Sequence, residues 1–172
     1  MKKTSLIPAL LLLAAMAATA QTKDPVSSAL REILPGRQKN TVAAVEAMPA
    51  DKFNFKPTAD QMTFGHLVVH MIESNNGFCS KVAGVAAPKV EEFKETDSKD
   101  KLVAGLKASF DFCSETLAKM DDSKLGETTE ALGTKLSRAR IALGIASSMA
   151  DHYAETAMYL RLNGIAPPTA KK

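Results

Sequence analysis

The chain has 172 residues, of which 45% are hydrophobic and 24% charged, with 22 Lys and Arg against 19 Asp and Glu for a net charge of +3. This length suits one hydrophobic core, and the hydrophobic fraction is too high for a disordered chain. No Lys/Arg cluster interleaved with aromatic residues appears, which excludes nucleic acid as an expected partner.

The first twenty residues read as a signal peptide. Lys2 and Lys3 make a basic start, Leu6 to Ala18 form an apolar run, and Ala18-Thr19-Ala20 is a small-x-small cleavage site. The apolar run is shorter than the roughly 20 residues of a spanning helix, and Pro8 interrupts it. We therefore expect cleavage rather than a stable membrane anchor, and no Cys near the site offers a lipid attachment point. The mature chain, 21–172, is expected to form a single domain in a bacterial periplasm or outside the cell. Without Lys2 and Lys3 the balance is 22 − 2 = 20 basic residues against 19 acidic ones, so the mature net charge is only +1.

Periodicity is helical almost throughout, with no clear strand. The first helical stretch covers Val26 to Met48. Pro35-Gly36 falls inside it, and proline removes an amide donor, so a kink or a split is predicted there. A connector with Pro49 and Pro57 follows, from which Phe53 and Phe55 should tuck onto the core. Thr63 is a good N-cap for a second helix, and Gly84 a good stop. Pro88 to Thr96 reads as a polar connection. Ser98 caps a third helix reaching Met120, with Leu102, Leu106, Phe110, Cys113 and Leu117 recurring at threes and fours. Asp121 to Gly133 reads as a loop. The last helix is predicted to start between Thr134 and Ser137 and to end at Asn163, with Gly164 beyond it and Pro167-Pro168 forbidding continuation. Four such helices predict an all-α four-helix bundle. Cys79 and Cys113 are a disulfide candidate in an oxidising compartment, or else two small buried side chains.

The three histidines are the candidates for chemistry. His66 and His70 are four apart on the second helix, a spacing that can chelate a metal and also arises by chance. His70 flanks the apolar stripe beside Ser74 and Gly77, whereas His66 lies further round towards solvent. His152 falls inside the apolar stripe of the last helix with Ile145, Met149, Thr156 and Tyr159. There it is either a hydrogen-bonded core histidine or a metal ligand.

Thr63-Phe64-Gly65 followed by His70, Asn75-Asn76 and Cys79-Ser80 resembles the second helix of the DinB-like (DinB/YfiT) metal-dependent hydrolase family. Asp151-His152-Tyr153, with Tyr159-Leu160-Arg161, Gly164-Ile165 and Pro167-Pro168, is similar to that family's last helix and exit, and Phe112-Cys113 adds weaker support. The resemblance implies a four-helix bundle holding a divalent metal, often nickel or zinc, on three histidines: one from the second helix and two, four residues apart, from the last. The first falls on His70 and the later of the pair on His152. The earlier of the pair falls on Ser148, so the implied triad is incomplete, with Glu155 or His66 as substitute ligands.

Three functions compete on this basis. One is a metal-dependent hydrolase or transferase with an impaired triad. Another is a non-catalytic bundle binding an unknown small molecule or a partner helix. A third is an exported bundle acting as a homodimer. G-x-S-x-G, H-E-x-x-H, a Gly-rich phosphate loop and C-x-x-C are all missing from the sequence, which argues against the corresponding hydrolase, protease, nucleotide and thioredoxin-like chemistries.

Overall fold

The computed structural model describes residues 23–170; the predicted signal peptide, 1–20, lies outside them. Four helices, α1 (Pro25–Ala47), α2 (Phe64–Ala83), α3 (Lys99–Ala118) and α4 (Arg138–Leu162), pack as a bundle. Between α3 and α4 runs a short hairpin of β1 (Thr128–Ala131) and β2 (Thr134–Ser137).

Each helix follows its apolar stripe. In α1 the inward residues Leu30, Leu34, Thr41, Val42 and Val45 recur at helical spacing. The helix passes through Pro35 as one assigned segment, so the predicted split does not occur. Pro35 and Gly36 are exposed while Leu34 is buried. The amide that proline lacks is therefore lost on the solvent side, where water can serve the freed carbonyl, and the buried stripe continues past it. Thr63, Ser98 and Ser137 cap α2, α3 and α4 by accepting the backbone N–H of His66, Lys101 and Arg140. Phe53 and Phe55 pack from the connector, edge to face on Phe64 and Tyr159.

The hairpin is the element that sequence periodicity missed. Thr128 pairs with Ser137 and Ala131 with Thr134. The intervening Leu132 and Gly133 both adopt positive φ, 52° and 73°. That is a two-residue turn whose twist suits a hairpin but which normally carries Asn or Asp first. Four-residue strands are too short to show alternation, and leucine hides the turn.

Other helix ends are satisfied from far along the chain. Asp24 precedes α1 without making a side-chain cap. Instead the Asp122 carboxylate accepts the N–H groups of Val26 and Ser27, at 2.8 and 2.9 Å, and the Ser27 hydroxyl. Arg31 donates to the carbonyls of Leu117 and Met120 at the end of α3. Lys99 donates to those of Glu46 and Met48 at the end of α1. These groups cap orphaned carbonyls and complement the helix dipoles. A disulfide joins Cys79 on α2 to Cys113 on α3, across a Cα–Cα distance of 5.2 Å and with both residues fully buried.

Two outcomes follow from these ties. Replacing both Cys79 and Cys113 by Ala should cost about 3–4 kcal/mol, given the 34-residue separation, and lower the thermal midpoint by roughly ten degrees. Calorimetry with and without reductant checks this. Asp122→Ala should cost about 1–2 kcal/mol in urea unfolding. Burial raises the Asp122 pKa, but the Ser27 hydroxyl and the two amides outweigh it, and the net shift is downward. The stability Asp122 confers is therefore present above the ordinary carboxylate pKa, about 3.9, and is lost as pH falls through the lower folded value. The gap between wild type and variant should close under strongly acidic conditions.

Candidate functional site

Helices α2 and α4 are antiparallel. Tyr159 near the end of α4 packs on Phe64 at the start of α2, ring centroids 5.7 Å apart, and its hydroxyl donates to the Met62 carbonyl at 2.7 Å. At the other end, Arg138 reaches the Ala83 carbonyl. This register sets the middle of each helix against the middle of the other. His152 lies seven residues before Tyr159, about 10 Å along the axis, and His70 lies six residues after Phe64, so the two come level.

Their rings meet edge to face, with centroids 5.0 Å apart and planes at 82°. His70 is on the open side, and its Nε2 is 3.4 Å from the Ser74 hydroxyl, a long contact for activating a nucleophile. His152 is half-buried. Burial, then the nearby His70, lower its pKa from the ordinary imidazole value to about 4, with Asp151 opposing weakly. It is neutral at physiological pH, with one donor and one acceptor nitrogen.

A cleft opens over this pair. One lobe, about 430 Å³, is walled by His70, Ser74, Phe78, Leu132 and Ser148. The other, about 570 Å³, adds His152, Leu143, Asp151 and Glu155. The structure thus brings four of the predicted site residues together: His70, His152, Ser148 and Glu155. It does not bring His66. That ring is exposed, with Nδ1 3.8 Å from the Glu95 carboxylate, in the first turn of α2 where the 85–97 connector passes. The connector lies so close that a Cβ on Gly65 would meet the Glu95 carbonyl oxygen at 2.3 Å. The place of Leu132 in the cleft and the role of Phe78 as a wall are not legible in the sequence. The only signal was the Leu132-Gly133 dipeptide between two Thr-containing runs.

The donor set fits a three-ligand metal poorly. Ser148 offers a neutral hydroxyl one turn from His152, and among the described residues no group of three or more His, Cys, Asp or Glu side chains is arranged to hold an ion.

A helical bundle whose facing helices contribute polar residues to an interhelical cleft defines the class. The DinB superfamily profile matches residues 34–156, and the chain belongs to that superfamily. Among solved structures it is similar to a DinB-like protein (YjoA) from Bacillus subtilis, at 16% identity and a TM-score of 0.67 over 84% of this chain and 98% of that one. It is also similar to a DinB-like protein from Bacillus cereus, at 12% identity and a TM-score of 0.68 over 84% and 97% of the two chains. Comparison with curated proteins gives no match.

The depressed His152 pKa has a sign that can be worked out. Between about pH 6.5 and pH 4 the unfolded chain binds a proton that the folded chain does not, so stability falls as pH drops through that window. The loss should be at most about 3 kcal/mol, less to the extent that water in the open cleft screens the charge. His152→Gln should flatten the profile measured by urea unfolding from pH 7 to 4.

Proposed function

We propose that this DinB-superfamily bundle binds a small molecule in the cleft between α2 and α4, using the facing His70–His152 pair and Ser148 as its hydrogen-bonding wall. The observation that carries this reading is the juxtaposition of the two rings at 5.0 Å in the wall of one cleft. Among the described residues the His152 ring makes no hydrogen bond to another protein group, so its nitrogens remain for a ligand or water. Export of the protein is part of the same proposal. The disulfide between α2 and α3 supports an oxidising compartment.

A second reading keeps a divalent metal, nickel or zinc, on His70 and His152. It is favoured by one specific observation: Asp151 and Glu155 line the same cleft and carry the anionic oxygens that Ser148 lacks. In that case the metal would supply Lewis acidity for a hydrolase or transferase.

Metal analysis of protein purified without a His tag separates the two. The ligand-binding proposal expects well below one nickel or zinc per chain, and no increase after incubation with either ion. It also expects uncharged amphipathic compounds to raise the thermal midpoint of wild type but not of His152→Ala. Near-stoichiometric metal that is lost in His152→Ala would replace this reading with the metal-dependent one.

A further inference from the structure

The two lobes of the cleft share four residues, His70, Phe78, Leu132 and Ser148, and so lie side by side. Leu132 is the odd member. It is 74% exposed and has φ 52°, although it is neither Gly, Asn nor Asp. A branched aliphatic side chain in the left-handed region meets its own backbone, and exposure to water gives it nothing in return. Both costs fall on the hairpin residue that lines both lobes of the cleft. Backbone strain kept beside a cleft is a reason to look for a contact made only when the cleft is filled.

The distribution of charge indicates what fills it. The four shared residues include two apolar side chains and two hydrogen-bonding ones, with no carboxylate, ammonium or guanidinium group. Lys, Arg and carboxylate side chains line only one lobe each: Glu73 and Lys81 in one, Arg140, Asp151 and Glu155 in the other. A charged group in the middle of the ligand would lose water there without gaining a counter-ion. An apolar body with one hydroxyl, carbonyl or amide group would match both kinds of shared wall.

Resting on the ligand-binding reading above, we infer that Leu132 is the specificity-determining contact of the cleft. Its ligand is an elongated, uncharged, largely apolar molecule that passes beneath the hairpin tip, with one hydrogen-bonding group directed at His70, His152 and Ser148. Leu132 closes on the side of the ligand opposite Phe78.

The test uses the full mature chain and two fluorescent probes of one skeleton, N-phenylnaphthylamine and its sulfonated analogue. The uncharged probe should bind saturably and the sulfonate about tenfold more weakly or worse. Leu132→Asn keeps a residue that tolerates the turn and removes the apolar contact. It should weaken the uncharged probe by about tenfold while leaving the thermal midpoint unchanged or higher. Binding that His152→Ala abolishes but Leu132→Asn leaves intact would overturn the role of Leu132 and keep the cleft as a binding site. Equal or tighter binding of the sulfonate would overturn the uncharged class. Absence of saturable binding by either probe would overturn this inference together with the reading on which it rests.

Discussion

The register between α2 and α4 is the constraint on which the site depends. It is set at one end by Tyr159, whose ring packs on Phe55 and Phe64 and whose hydroxyl reaches the Met62 carbonyl. The phenol satisfies a buried polar group with a backbone acceptor that precedes α2, so sliding α4 by one turn would cost a hydrogen bond and two aromatic contacts together. Such a slip would carry His152 about 5 Å past His70. The pairing of the imidazoles is thus a consequence of a lock made nearly two turns away.

Long-range capping supports the same arrangement. Asp122, Lys99, Arg31 and Arg138 each satisfy the end of a helix to which they do not belong. A helix end capped by a neighbour is oriented by it, because the donor or acceptor must lie on the axis of the exposed groups. The disulfide ties α2 to α3 at the opposite face from the cleft-lining His70 and Ser74, leaving that side of α2 to α4 and the hairpin. Arg138 also pairs with Glu127 at the foot of the hairpin, which couples the position of Leu132 to the start of α4.

The chemistry of the site follows from what faces the imidazoles. Two facing imidazoles can direct a hydrogen-bonding group, and a serine beside them adds a hydroxyl that both donates and accepts. The same pair would need a further anionic ligand to hold a metal firmly, and the carboxylates in the cleft, Asp151 and Glu155, stand on exposed positions. Apolar walls from Phe78 and Leu132 favour desolvation of whatever occupies the cleft.

The sequence by itself determined the helices, their caps and their inward faces. Thr63, Ser98, Gly84 and Gly164 mark boundaries through local backbone chemistry, and the spacing of Leu102, Leu106, Phe110 and Cys113 fixes a buried face without reference to any partner. His70 and His152 were identifiable as candidates because each falls on or beside an apolar stripe. Which of the two expectations at Pro35, a kink or a split, would hold was not legible, since it depends on which side of the helix meets water. The hairpin escaped for a similar reason: its strands are short, and its turn carries a leucine that local preference disfavours. Only the tertiary structure decided that His66 turns to Glu95, that Ser148 and Glu155 share a cleft with the two facing rings, and that Leu132 lines the same cleft. Local signals report the conformation of a few neighbouring residues, whereas these placements depend on the register of helices separated by scores of residues, which side-chain packing alone sets.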